Sequence, residues 1–242
     1  MRLKIAIPVV ILSALLLLAG CQEKKSTKNL QITGNIEGFK KGTIYIQKLE
    51  DTTLVPLDSI IVNGDSHFAS DIDIDSPQML YIFIDRGVSN SLDNNLMFFA
   101  EPGKINIDTN LDYFYSNAKI TGSKNQEFYE EYKKVNSRFV SQQLELTEAK
   151  LKAMQKSLPY SEEENQAKSE AILKSKYLYA INFAVNHKDY EVAPYVALSE
   201  INDANLKYLD TIQKSLSPKV ARSKYGKLLE KHIAERRKLE QQ

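Results

Sequence analysis

The period of the hydrophobic pattern changes once along this chain, and that change dictates a two-part fold. Before Thr121-Gly122-Ser123, apolar residues alternate with polar ones in short runs bounded by Gly, Pro, Asn and Asp. Alternation places successive side chains on opposite faces of a strand. After it, apolar residues recur at three- and four-residue steps within Lys- and Glu-rich segments, which is the helical period. The alternating runs begin at Leu30 and Ile32, then cover Gly42–Gln47, Leu54–Val62, His67–Ile74, Met79–Ile84, Asn95–Phe99, Lys104–Asp108 and Lys119–Thr121. Asn63-Gly64 is the strongest short hairpin signal, and Glu101-Pro102-Gly103 is a turn sequence. Seven or eight short strands with regular turns predict an antiparallel β-sandwich or barrel over residues 30–122. A helical region over 123–242 follows, so the chain is of the α+β class.

The helical part carries its own punctuation. Ser123 with Gln126, and Ser161 with Glu164, have capping-box spacing. Phe128, Tyr132, Val135, Phe139 and Leu146 form one apolar stripe on the first helix, which Pro159 ends. The second helix runs to about residue 187, with Ile172, Tyr179 and Phe183 on its apolar face. Shorter helices follow Pro194 and span about Asp203 to Leu216. Ser217-Pro218 is an N-cap and N1 pair, and Tyr225–Gln242 is a highly charged last helix. Residues 21–123 carry an acidic excess and 124–242 a basic one. Helices use more Lys and Glu in any case; the sharper reading is that opposite charge helps the halves dock.

The first thirty residues have a different character. Arg2 and Lys4 precede an apolar run from Ile5 to Ala19, and Gly20-Cys21 follows. A positive start, a short apolar core and small residues describe a secretory signal. The run of about 15 residues is shorter than the roughly 20 of a membrane-spanning helix. Leu18-Ala19-Gly20-Cys21 resembles the lipobox of bacterial lipoproteins. That resemblance implies cleavage between Gly20 and Cys21 and a thioether from the Cys21 sulfur to a diacylglycerol. Two or three acyl chains on one residue anchor a protein stably, whereas one is marginal. The alternative is an ordinary signal peptide with a coincidental cysteine. Residues 22–29 are polar, hold three lysines and span on the order of 25 Å when extended, a tether's length. By the same resemblance, Gln22 lacks the aspartate of inner-membrane retention. The expected location is therefore the outer membrane, on its periplasmic face because the tether is lysine-rich; the cell surface is the alternative.

Cys21 is the one cysteine in 242 residues. Its lipidation would leave no thiol for a disulfide, a Cys-based metal site or thiol–disulfide exchange. A formal charge of +1 gives no basic balance for nucleic acid.

The stretches "ITGNIEGFKKGTIYIQKLED", "PLDSIIVNGDSHFAS", "FFAEPGKINI" and "ITGSKNQEFYEEY" resemble the N-terminal domain of unknown function of Bacteroidota periplasmic lipoproteins. In many of those proteins it precedes a thioredoxin-like domain of the AhpC/TSA type found in thiol-disulfide oxidoreductases. "YVALSEINDANLKYLDTIQKSLSPKVARSKYGKLLEKHIAERR" resembles the connector leading into that domain. The chain is thus expected to stop where the thioredoxin-like domain would begin. It has no Cys-x-x-Cys, so the family's catalytic residues have no matching positions here.

Other candidate chemistry is weighed residue by residue. Asp71, Asp73 and Asp75 begin like a calcium loop, but Ser76 and Ile82 stand where that loop needs Gly and Glu. A solvated strand face is the expectation. His67, His187 and His232 have no ligand spacing, and no Gly-x-Ser-x-Gly elbow or phosphate loop occurs. Among 13 tyrosines, Tyr113 with Tyr115, or Tyr177 with Tyr179, could line a ligand groove; packing of helix against sheet is the expected role. No catalytic residue, cofactor or metal ligand is assigned. The expected function is a lipid-anchored cell-envelope binding module, not itself redox-active, with the membrane and an envelope protein, such as a separate thioredoxin-like protein, as partners. The alternatives are a receptor for a glycan or small hydrophobic ligand, and a carboxylate-dependent hydrolase.

Overall fold

A computed structural model describes residues 27–87, 92–156 and 158–241. Gly20, Cys21 and the signal segment lie outside the described residues. The alternating runs become eight strands: β1 (Leu30–Glu37), β2 (Lys41–Glu50), β3 (Thr53–Asn63), β4 (His67–Ile72), β5 (Gln78–Asp85), β6 (Asn95–Ala100), β7 (Gly103–Asn110) and β8 (Lys119–Thr121). They form two four-stranded sheets, ordered β4-β1-β7-β8 and β3-β2-β5-β6. The inward faces meet in one core that includes Leu30, Ile32, Ile44, Ile82, Phe98 and Ile107. On the β4-β1-β7-β8 sheet the outward positions, such as Gln31, Thr33, Asn106 and Asp108, are polar, as the period of two requires.

Two pairings differ from the sequence expectation. Asn63-Gly64 does not close a hairpin. It is a corner between the sheets: β3 is an edge of one, and β4 pairs with β1 in the other, with His67 opposite Asn35. Gly64 N–H donates to the Lys40 carbonyl at 2.7 Å, and Ile36 N–H to the Ser66 carbonyl at 3.0 Å. A turn dipeptide encodes the local reversal, not which strand receives the returning chain. Secondly, the chain crosses sheets again at Glu101-Pro102-Gly103, and β7 emerges parallel to β1. All other pairs are antiparallel. Alternation carries no direction, so the mixed sheet could not be read from it.

Six helices follow: α1 (Lys124–Lys156), α2 (Glu162–Asn186), α3 (Val192–Glu200), α4 (Leu206–Ser215), α5 (Pro218–Ala221) and α6 (Lys224–Leu239). Both expected caps form by half. Gln126 N–H donates to Ser123 Oγ at 3.1 Å and Glu164 N–H to Ser161 Oγ at 3.2 Å. The Gln126 side chain, however, reaches the Phe99 N–H at 2.7 Å instead of returning to its cap. The helices cover the outer face of the β3-β2-β5-β6 sheet, so the architecture is sheet, sheet, helix layer. Their core gathers Met79 and Phe99 from that face with Tyr132, Phe183, Val196 and Leu229. Strand β5 is therefore buried on both sides, which explains its near-continuous apolar run.

Gly34 sits in β1 opposite Phe68 and beside Ile107. A Cβ there would stand 2.0 Å from the Ile107 carbonyl oxygen and 2.7 Å from the Phe68 ring. Overpacking of this kind costs about 1–3 kcal/mol, so Gly34→Ala is expected to lower the urea midpoint by that equivalent. Tyr132 is fully buried and its hydroxyl has no hydrogen-bond partner among the described residues. Removing an orphan polar group relieves its desolvation cost, about 1–3 kcal/mol at most. Tyr132→Phe is expected to leave the urea midpoint unchanged or raise it.

Candidate functional site

Where the helix layer stops short of one end of the sandwich, a cleft of about 1420 Å³ opens. Its β wall is made by the end of β2 and the following turn (Lys48 to Asp51), by Asp75 to Met79, and by Glu101-Pro102. Its helical wall is made by the starts of α1, α3 and α6 with the loops before them.

The floor is aromatic. Tyr195 and Tyr225 pack edge to face at 5.0 Å, and each meets Phe99, at 5.5 and 6.0 Å. Burial pushes both tyrosine hydroxyls well above their ordinary range, so they stay neutral hydrogen-bonding groups. The Tyr225 hydroxyl is spoken for: it accepts the Met79 N–H at 2.9 Å. A smaller annex of about 470 Å³ continues from this floor, with Leu49, Leu198 and Leu228 on its sides.

One wall holds a polar knot around Asn125, which is almost fully buried. Its Nδ2 donates to Glu101 at 2.6 Å and its Oδ1 accepts the Val192 N–H at 2.9 Å. Glu101 also accepts the Lys124 N–H at 2.7 Å. A carboxylate there satisfies open amides at the α1 N-terminus and complements its dipole. Glu191 lies at 3.4 Å from Asn125 Nδ2. Burial, assisted by the nearby Glu101 charge, lifts the Glu191 carboxyl above its ordinary value, against the bonds that lower it. These two carboxylates hold the helix starts together, and their acceptor sites face protein donors.

The cleft lining is also basic. Lys219, Arg222, Lys224 and Lys227 all line the cleft. Lys224 donates to Gln78 Oε1 at 2.9 Å and to the Leu49 carbonyl at 3.3 Å. Partial burial, then the neighbouring Lys48 charge, lowers its pKa. Asp51, Asp75 and Asp189 add negative charge to the lining. The cleft thus offers both signs of charge over an aromatic base.

The residues singled out from the sequence are mostly elsewhere. Asp71 and Asp73 face solvent and Ile72 and Ile74 the core, as alternation requires. Only Asp75 reaches the cleft. Asp73 accepts from Lys28 Nζ at 2.7 Å and from the Asn29 N–H at 3.0 Å, which holds its carboxyl below the usual range. Among the described residues, no group of three or more His, Cys, Asp or Glu could hold a metal ion. His67 pairs with Asp65 at 2.8 Å. His187 ends α2, stacked on Phe183 at 4.2 Å with a ring nitrogen 2.8 Å from that residue's carbonyl. His232 reaches the Asn202 carbonyl at 2.7 Å. Tyr113 and Tyr115 are exposed. Tyr177 donates to Asp203 at 2.6 Å, and Tyr179 stacks on Tyr132 at 5.4 Å, helix against helix. None of these four tyrosines lines the cleft; Tyr81, Tyr190, Tyr195 and Tyr225 do. Only Tyr81 among them had a sequence signal, the double-sided apolar run of β5.

Fold and site together define an α+β protein in which a helix layer closes one face of a β-sandwich and leaves a charged, aromatic-floored cleft. Residues 30–129 match the family model described as a domain of unknown function (DUF4369). That match takes in all eight strands and the first turns of α1. No curated protein matches the chain significantly.

The buried Glu191 makes a pH prediction with a definite sign. Its folded pKa is raised, so the native state holds more protons than the unfolded chain from about the ordinary carboxyl range upward. Stability from this group is greatest below that range and falls as pH rises through the folded pKa. Glu191→Gln is expected to flatten that fall and to be at least as stable as the parent at pH 7, measured by urea unfolding across pH 4 to 8.

Proposed function

We propose that the chain is a lipid-anchored envelope module whose cleft binds a polypeptide segment of a partner protein. The cleft carries this reading. Its volume of about 1420 Å³ exceeds the 300–1,000 Å³ usual for small-molecule sites. It is open, and it combines basic and acidic walls with an aromatic floor. Backbone and mixed side chains of a peptide match such a surface better than a single small ligand does. No thiol lies in the described residues, so a redox role would belong to the partner. By the family resemblance, that partner is a thioredoxin-like envelope protein.

The position of the tether supports the same reading. The described chain begins beside the cleft: Asn29 Nδ2 donates to the Ile74 carbonyl at 2.8 Å, one residue before Asp75. Gly103 N–H donates to the Asn29 carbonyl at 2.9 Å, next to Glu101-Pro102. An anchor at Cys21, about eight residues upstream, would hold the cleft on the membrane-facing end of the body, within roughly 25 Å of the lipid. The effective concentration of other anchored proteins is highest there. Among the described residues, no helix is long and apolar enough to cross a membrane.

A second reading rests on the apolar annex of about 470 Å³, whose size suits a small hydrophobic ligand or an aglycone. Photo-crosslinking separates the two. A benzophenone side chain at Lys227 in the native envelope is expected to capture a discrete protein. Arg222→Glu combined with Lys219→Glu is expected to reduce that capture severalfold, while a probe at exposed Lys134 captures nothing comparable. Capture of lipid or glycan alone from Lys227 would favour the second reading. Intact-mass measurement of the Cys21→Ser variant against the parent checks the anchor: the diacylglycerol mass is expected only in the parent.

A further inference from the structure

Helix α1 is 33 residues long, and its outer half bears two apolar seams one residue apart. The first faces α2. Phe139 contacts Tyr179 at 6.1 Å between ring centroids, Gln143 Nε2 donates to the Ser169 carbonyl at 2.9 Å, and the Leu146 carbonyl accepts from Asn165 at 3.3 Å. The second is Val140, Leu144, Thr147, Leu151 and Met154, spaced four, three, four and three. That is the heptad spacing of a helix–helix seam. Among the described residues nothing covers it: Val140, Leu144, Leu151 and Met154 are 55%, 66%, 55% and 62% exposed. A helix with two adjacent heptad seams is built to touch two helices, and the described residues supply one.

We infer that a second copy of this chain covers the outer seam, with the two α1 helices antiparallel about a two-fold axis. A register that pairs four of the five seam positions sets Leu144 against Met154 and Thr147 against Leu151 of the other copy, and the converse. Two arguments select this occupant and this direction. The first is charge. The flank of the seam runs Glu145, Glu148, Lys152, and Glu148 pairs with Lys152 along the helix. Reversed by the two-fold, this row sets Glu145, which makes no ion pair among the described residues, near Lys152 of the other copy on both sides. The second is shape. The first turns of α1 are enclosed by the sheet and α3, with Tyr129 and Tyr132 buried. A parallel pair would bring two globular bodies to the same end at the 8–10 Å spacing of packed helices; the antiparallel pair sends them to opposite ends. The exposed seam offers on the order of 500 Å² per copy, so a pair buries about 1,000 Å², the lower bound for a specific interface. A weak, concentration-dependent dimer is the expected form.

The full chain in mild detergent is expected to pass from monomer to dimer across a concentration series in sedimentation velocity. Leu144→Glu with Leu151→Glu, both on an exposed face, is expected to keep the parent's circular dichroism and weaken association roughly tenfold or more. Copies carrying Leu144→Cys mixed with copies carrying Met154→Cys are expected to form a disulfide between unlike copies on oxidation; the unmodified chain controls for Cys21. A monomer throughout the series, association indifferent to the double glutamate change, or linkage of Leu144→Cys copies mainly to one another would each overturn the proposal. So would a monomeric chain whose seam instead binds phosphatidylethanolamine–phosphatidylglycerol vesicles.

Discussion

The structure depends on one sheet being covered twice. In β5, Leu80, Ile82 and Ile84 point into the sandwich while Met79 and Tyr81 point toward the helices. Burying one such side chain stabilises by about 1.5–3 kcal/mol, so neither face can be left open without consequence. A sandwich alone would expose Met79 and Phe99, and the helices alone would lack the floor their core is built on. The β and α parts are therefore halves of one packing problem. The cleft lies where the cover runs out, at the end of β2 and the loop before β5.

Apolar contact sets how strongly the layers adhere, and backbone donors set where. Pairing of β2 with β5 stops at Lys48 opposite Leu80, which leaves the Met79 N–H beyond the ladder. Strand β6 is an edge, so one side of it has no strand partner. A buried N–H without an acceptor costs about 1–3 kcal/mol. The Tyr225 hydroxyl supplies Met79, and Gln126 supplies Phe99. These two bonds place α6 and α1 against the sheet, and the Gln126 bond also blunts a sheet edge that would otherwise invite pairing. Asn125 does the same between helices by joining Glu101 to the start of α3.

Strand positions were legible because alternation is local: Leu30, Ile44, Leu80 and Ile107 declare their faces without reference to the rest of the chain. Pairing was not, because Asn63-Gly64 and Glu101-Pro102-Gly103 turn the chain but do not say into which sheet. Gln126 shows the same limit at one residue. Its spacing from Ser123 marks a helix start correctly, yet its side chain serves a strand 27 residues away in sequence. The cleft was invisible for a related reason. It is assembled from six separate stretches, and Lys219, Arg222 and Lys227 each look like ordinary helix-surface cations. Tyr113 and Tyr177 were conspicuous by sequence spacing, but what makes a groove is where the covering layer ends.

Helix α1 joins both themes. At 1.5 Å per residue it spans roughly 50 Å, farther than the sheet beneath it requires. Its first turns are fixed by Gln126, Tyr129 and Tyr132, all buried. Beyond Phe139 it rests on α2 alone, and the contacts there are fewer and more polar, such as Gln143 with Ser169. A helix kept that long at the margin of its own packing has its ordering cost met by its base. The outer turns then stand as a preformed surface that a partner need not order. That arrangement separates the two ends of the molecule: the cleft beside Asn29 at one, and the seam from Val140 to Met154 at the other, free of the body.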